Sequence, residues 1–361
     1  MPAGRQALVV FYGAVGESPV ERSVDEARLA AAFDVIEAAS IPAILATDQA
    51  SLSVEVPGVE VDWSDEPYHF GRRLADVARR HGLATIVYLG AGSVPLFTRA
   101  DFTEVVAGLG RGLCVTNNSF SSDLIAFHVD EPTLAVLESV GRDNSLARAL
   151  TDAGLPVTEL PRTLATQMDI DAPSDLMVLA LTGQGGPRLR GHLAGLHLDT
   201  ARYARTLPLF LDRKHEVVVA GRVGSHAWAY LERETACRVR LFAEERGMEA
   251  DGRGESGAAR SLLGSYLEAA GSERFFETLA ELGDAAFLDT RVLLAHKRIR
   301  ASREDRFLSD LGDWQAIREP WLREFTQAAA AAPLPVLLGG HSLVSGGLMA
   351  LNEHAWALSE R

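Results

Sequence analysis

The feature that most constrains this chain is one local pattern used repeatedly: a short apolar run, a turn, then an amphipathic helix. Ala7–Tyr12 (ALVVFY) is apolar throughout, and a loop, Gly13–Arg22, follows it. Val24–Ala39 then carries apolar residues three and four apart, which predicts a helix with Ser23 as its cap. Ala43–Ala46 is a second run. After a polar stretch to Pro67 come a predicted helix, Tyr68–His81, and a third run, Ala84–Leu89. Further units of the same kind extend to about Leu181. Runs without polar alternation are what strands buried on both faces look like. Alternating with helices, they predict an α/β fold with a mostly parallel sheet and crossover helices.

At 361 residues the chain is long enough for about two such domains. Residues 182–192, TGQGGPRLRGH, are rich in Gly and Arg and make the best boundary, giving domains of 1–185 and 193–361. The pattern restarts beyond it. Glu216–Ala220 and Arg238–Ala243 read as strands, with a turn, Gly221–His226, and a helix to Glu234 between them. Ala258–Ala270 and Glu273–Leu282 read as helices, and Ala286–Ala295 as a strand. A charged segment, Arg303–Asp313, precedes a predicted helix Trp314–Ala331, whose end is the alanine run 328–332. Strand Val336–Leu338, a Gly-rich turn and helix Gly347–Ala357 close the chain. The second half is therefore also α/β.

Composition removes several classes of function. With 35 Lys+Arg against 49 Asp+Glu the net charge is −14, the wrong sign for holding nucleic acid by bulk electrostatics. Two cysteines, Cys114 and Cys237, cannot build a disulfide framework or a Cys-rich zinc site. No stretch approaches the ~20 apolar residues of a membrane span, and the N-terminus has no signal-peptide architecture. The reading is a soluble cytoplasmic protein without a membrane or nucleic-acid partner, with homo-oligomerisation left open. The only lysines are Lys214 and Lys297, so a phosphate site in residues 1–213 has to use Arg, backbone N–H groups or a metal.

Residues 165–176 read ATQMDIDAPSDL. Asp169 and Asp171 are one residue apart and are expected at a strand end, where alternate side chains point the same way. Two convergent carboxylates suit Mg²⁺, which takes oxygen ligands and keeps several waters. Pro173 and the acids around it also make a good helix N-terminus on structural grounds alone.

This segment resembles the D-I-D-T-P-x-D-L signature of MobA-like nucleotidyltransferases, especially the guanylyltransferases that act on 2-phospholactate and related phospho acids. Asp143-Asn-Ser145-Leu-Ala-Arg148-Ala-Leu with Ala153-Gly154 is similar to the family's S-F-x-R-H-x-x-x-A-x-x-x-G run. Leu89–Leu96 sits where the family has its G-D-x-P-L turn, and Leu113–Phe127, with Asn117, Asn118 and Asp123, where it has its substrate-side strand. The resemblance covers about 1–181. It implies a nucleotide-diphospho-sugar-transferase-like domain, a Rossmann-like mixed sheet with the nucleotide at the carboxyl ends of the strands. It implies Mg²⁺ on Asp169 and Asp171, with Arg22 beside the phosphates and Gly13, Gly16, Gly90 and Ser93 in the nucleotide-binding turns. The chain departs from the family in two places. The lysine of the opening loop is absent, with Glu17 and Glu21 in that loop, and Ser93 stands where the family has its first metal-binding Asp.

The second half offers Leu337–Gly347, whose Gly-His-Ser-Leu core is similar to the G-x-S-x-G elbow of α/β-hydrolases. Val344 replaces the last Gly, and no Asp follows Ser342. Gly340, His341 and Ser342 read better as an anion-binding turn at a helix start, or as a structural turn. Gly221–His226 and the series Asp289, Thr290, Arg291, His296, Arg303–Arg306 and Asp310 are candidates to converge on it. The expected function is transfer of a nucleoside monophosphate from a nucleoside triphosphate to a small phosphorylated acceptor. The alternatives are a catalytically degenerate protein that binds a nucleotide or phospho-ligand, and a hydrolase or phosphate-handling enzyme with its site in the C-terminal domain.

Overall fold

In the computed structural model of the chain, residues 4–13, 16–52, 54 and 56–360 are described. They form two compact α/β units. The first comprises residues 4–13, 28–167 and 185–189; the second comprises 16–27, 168–184 and 190–360. The segment with Asp169 and Asp171, read from sequence as the end of the first domain, therefore packs with the second unit.

The first unit is built on a seven-stranded mixed sheet. Its strands are β1 (Arg5–Tyr12), β2 (Ala43–Thr47), β3 (Val59–Trp63), β4 (Leu83–Gly90), β5 (Cys114–Thr116), β6 (Leu124–His128) and β7 (Val157–Glu159). Their order is β3-β2-β1-β4-β6-β5-β7. β1 pairs in parallel with β2 and β4, whereas β6 runs antiparallel to both β4 and β5. Residues 117–123 are too few for a crossover helix, which needs a dozen or more residues, so β6 must fold back on β5. Alternate residues of β1 feed two cores: Ala7 and Val9 face one side with Phe70 and Leu74, and Leu8 and Val10 face the other with Val35 and Phe102.

Strand β3 lies in the stretch read from sequence as polar loop. Its sequence, VEVDW, alternates, and it is an edge strand with Val61 and Trp63 largely exposed, so no apolar run marks it. The first helix begins at Pro19, not Val24. Ser18 and Glu21 form a reciprocal cap there: Glu21 N–H donates to Ser18 Oγ, and Ser18 N–H donates to Glu21 Oε2 at 3.1 Å. Ser23 lies inside that helix and donates to the Val20 carbonyl. Residues 182–192, expected as a linker, run into a helix, Pro187–Gly195.

The second unit carries four parallel strands, β8 (Glu216–Gly221), β9 (Arg238–Ala243), β10 (Ala285–Asp289) and β11 (Val336–Gly339), in the order β11-β10-β8-β9. Phe275, Phe276, Leu322 and Phe325 form much of the core on one face. The run Ala286–Ala295 divides: β10 stops at Asp289, whose side chain accepts from Arg291 N–H and caps the helix Thr290–Lys297. A continuous apolar run cannot separate strand from helix; the capping carboxylate does. The charged segment is itself a helix, Arg303–Leu311, capped by Ser302, whose Oγ accepts from Asp305 N–H at 3.0 Å. The next helix starts at Pro320, with only a short 3₁₀ turn at Trp314–Ala316. After β11 a π-turn, Leu343–Gly347, leads into the helix Leu348–Ser359. No described helix is long and apolar enough to cross a membrane.

Candidate functional site

In an open α/β sheet, ligands bind outside the carboxyl ends of the strands, where consecutive connections leave in opposite directions. Each unit has such a point. In the first it lies between β1 and β4, because β2 and β3 lie to one side of β1 and β4 to the other. Gly13 follows β1 and Gly90 ends β4, which places both at that edge. Ala91 N–H donates to the Phe11 carbonyl at 2.8 Å, and Ser93 N–H to the Gly90 carbonyl at 3.0 Å. A Cβ on Gly90 would lie 3.3 Å from Ser93 Oγ, so the turn is close-wound. It is also strained: Val94 is β-branched and buried, yet has φ 44°. That conformation is rare for such residues and collects at functional turns.

Gln49, after β2, donates to the Gly13 carbonyl at 2.8 Å, and Arg28 Nε donates to the Ala91 carbonyl at 2.8 Å. Sequence reasoning missed Arg28, because its place at the β4 turn follows from tertiary packing. Tyr88 is fully buried and donates to Asp143 Oδ2 at 3.2 Å; burial and then the Asp143 charge push its hydroxyl well up. Within the loop Gly13–Arg22, Ala14 and Val15 lie outside the described residues.

The remaining candidates sit in the second unit. Gly16 N–H donates to Asp25 Oδ2 at 2.9 Å, so a carboxylate already takes the group expected to face phosphate. Arg22 is exposed and donates to the Glu17 carbonyl. Asp169 is half-buried and Asp171 exposed. They follow a one-turn helix, Leu164–Gln167, and the backbone at Asp169 forms an isolated bridge, so the expected strand is a short irregular link. Asp175 is buried at the next helix start, where its Oδ2 accepts from Asp171 N–H at 2.8 Å and Ala172 N–H at 2.9 Å. Burial and the Asp171 charge push the Asp175 carboxyl up to about 8 despite those two bonds.

The second unit's own switch point lies between β8 and β10, since β9 flanks β8 on one side and β10 on the other. Arg222, just after β8, and Asp289, at the end of β10, meet there. Arg222 Nε lies 2.6 Å from Asp289 Oδ2, and Nη2 lies 3.2 Å from Oδ1. Burial alone would push the Asp289 carboxyl up, but Arg222 outweighs it and holds it down. Arg291 forms a second fork, 2.6 and 2.5 Å from the two oxygens of buried Asp310. Gly221 has φ 125°, and a Cβ there would lie 2.3 Å from Asp289 Cβ, so only glycine lets β8 pass so close to β10.

His341 follows β11 at the same edge. Burial and then Arg222 push its imidazole down, against the opposing charges of Asp289 and Asp171, which favours the neutral ring at pH 7. Ser342 Oγ donates to the Asp169 carbonyl at 2.9 Å. The structure thus brings together, within one unit, two groups of residues distant in sequence: Asp169 and Asp171 with Gly340, His341 and Ser342, and around them Arg222, Asp289, Arg291 and Asp310. His296 stays apart, accepting from Ser261 N–H and lying 3.5 Å from Glu268. Asp289, His296 and Asp310 are each engaged separately, so these three do not share a metal. Among the described residues no group of three or more His, Cys, Asp or Glu side chains is placed to hold a metal ion. Asp169 and Asp171 offer oxygen donors only, and one or two carboxylates with waters and substrate phosphate is an ordinary Mg²⁺ arrangement.

No family model matches the chain, and no curated protein matches it. Among solved structures it is similar to a protein of Desulfovibrio desulfuricans assigned as a nucleotide-diphospho-sugar transferase: 13% identity, TM-score 0.42, covering 53% of this chain and 94% of that one. It is also similar to a cytidylyltransferase of Leptospira borgpetersenii serovar Hardjo-bovis, at 15% identity and TM-score 0.35, covering 53% and 93%. A third is the 2-C-methyl-D-erythritol 4-phosphate cytidylyltransferase of Thermus thermophilus, at 14% identity and TM-score 0.32, covering 46% and 93%.

Proposed function

We propose that this chain is a nucleotidyltransferase-like protein that holds a nucleoside triphosphate at the β1/β4 edge of its first unit. The observation that carries the reading is the strained, close-wound turn Gly90–Val94, placed at a topological switch point beside Gly13. The resemblance of Asp169–Leu176 to the D-I-D-x-P-x-D-L signature adds the reaction class. In that reaction a phosphorylated acceptor attacks the α-phosphorus and pyrophosphate leaves, with no covalent enzyme intermediate. Positioning and charge neutralisation are then the protein's whole contribution. Asp169 and Asp171, which lie in the second unit, keep as a proposal the Mg²⁺-ligand role that the resemblance gives them. Gly13, Gly90 and Ser93 supply the backbone approach to the nucleotide, and Arg28 extends this set as an arginine anchored on the Gly90–Val94 turn. Arg22 and Gly16 keep the roles the resemblance gives them as proposals.

Calorimetry with GTP, CTP and ATP in the presence of Mg²⁺ tests the nucleotide site; saturable binding of one of them is expected, and binding of none overturns the reading. Pyrophosphate release with a panel of phospho acids tests the chemistry, and Asp171→Asn should abolish it. Nucleotide binding without release would assign the chain to the degenerate, ligand-binding class, which Ser93 and the missing loop lysine favour.

A further inference from the structure

Two features of the first unit share one face of its sheet at the carboxyl edge of β1 and β4. The first is an exposed ring. Tyr68 is 71% exposed. It stands between Pro67 and His69, whose Nδ1 accepts from Arg72 N–H and caps the helix Phe70–Arg80. The Tyr68 ring makes a T-shaped contact with Phe11, centroids 6.5 Å apart. Phe11 packs also against the buried rings of Phe70 and Tyr88, and its carbonyl takes the Ala91 N–H of the Gly90–Val94 turn. Tyr68 therefore presents a π-face at the switch point.

The second feature is a notch lined by oxygen. Gly90 ends β4, and alternation along the strand puts it on the face of Tyr88, which Phe11 shares. Beyond its chain neighbours, the three atoms nearest to the place a Cβ would take are all oxygens: Ser93 Oγ at 3.3 Å, Tyr88 Oη at 3.8 Å and Asp143 Oδ2 at 4.0 Å. Gly90 and Asp143 are both half-buried, so the notch is open to a ligand. Asp143 is held in place: Oδ2 accepts from the Tyr88 hydroxyl at 3.2 Å, Oδ1 from Asn144 N–H at 2.9 Å, and its carbonyl from Ser122 Oγ at 2.8 Å. An ionised carboxylate only accepts, so the notch suits a ligand group that donates.

We propose that these two features hold the nucleobase of the bound nucleotide, its ring stacked on Tyr68 and its exocyclic amino group donating to Asp143 Oδ2. The proposal rests on the nucleotide reading of the β1/β4 edge and adds a rule of choice to it. Every base has a π-face, so Tyr68 gives affinity without choosing among bases. The notch chooses. Cytosine, adenine and guanine carry an exocyclic amino group. Uracil sets a carbonyl oxygen where cytosine has its amino group, and hypoxanthine lacks the amino group of adenine or guanine. A site built to take a donor rejects the analogue without it, because its acceptor is then left unpaired.

The test is calorimetry on the full chain with Mg²⁺, comparing CTP with UTP, and ATP and GTP with ITP. In whichever pair binds, the amino-bearing nucleotide should bind about tenfold or more tighter, corresponding to ~1.4 kcal/mol. Tyr68→Ala should weaken that binding by about tenfold, and Tyr68→Phe, which keeps the ring, should bind as the wild type does. Asp143→Asn, with its fold checked by a melting curve, should reduce the preference for the amino group; the ligand pairs decide the matter without any variant should it not fold. Equal affinities within the pair that binds, or unchanged affinity in folded Tyr68→Ala, would overturn this inference and leave the nucleotide site standing. Binding of no nucleotide at all would overturn the nucleotide reading and this inference with it.

Discussion

Arg222 Nε and Asp289 Oδ2 lie 2.6 Å apart across the gap between β8 and β10, with the Asp289 side chain wholly buried. The pair couples two strands at the point where the chain reverses its direction across the sheet. Removing one partner strands the other charge in a low-dielectric setting, which costs about 3–5 kcal/mol. Asp289→Ala and Arg222→Ala should each lower stability by that order in urea denaturation. The double variant should be less destabilised than the sum of the two, because neither charge is then left alone. Additive losses would show that the pair is not an interacting unit.

Asp175 gives the second unit a pH dependence. Its carboxyl is pushed up to about 8 in the fold, mainly by burial, from an ordinary value of 3.8. The folded state therefore binds a proton that the unfolded state releases. The sign follows from linkage: the contribution is fully present below pH ~4 and falls as pH rises to about 8, by roughly 1 kcal/mol per pH unit. Asp175→Asn keeps an acceptor for Asp171 N–H and Ala172 N–H and removes the titration. Its stability should be flatter than the wild type's between about pH 5 and pH 8 in chemical denaturation. Parallel slopes would place the ionised carboxylate in the native state.

Ser342 separates a structural turn from a nucleophile. Its hydroxyl donates to the Asp169 carbonyl at 2.9 Å and is buried. Ser342→Ala should cost about 1 kcal/mol, the worth of an ordinary hydrogen bond. Neither the wild type nor the variant should hydrolyse an activated ester. Turnover by the wild type that vanishes in the variant would reinstate the hydrolase elbow.

Much of the α/β class was legible because its signals are local. ALVVFY and the VVVA of EVVVA are apolar without alternation, and they are parts of β1 and β8. β3 was not legible, since an edge strand exposed on one side needs no apolar run. The limits of β10 were not legible either, because FLDTRVLLA is apolar on both sides of Asp289, and only its capping bond shows where strand becomes helix. Asp169, Asp171, Gly340, His341 and Ser342 were each visible as chemistry. Tyr68 was visible only as the first residue of a predicted helix, and Arg28 only as one arginine in a helix.

The amino-acid sequence by itself determined the α/β class, two units' worth of apolar runs, and the residue types available for phosphate chemistry. These depend on periodicity and composition, which neighbouring residues express without help from the rest of the chain. Tertiary structure decided that β6 runs antiparallel, that residues 168–184 pack with the second unit, and which carboxylate each arginine takes. Such choices depend on contacts between residues far apart in sequence, as with Arg303 and Asp25 or Arg222 and Asp289. A buried charge takes whatever partner the fold places beside it, and no spacing rule records which one that is.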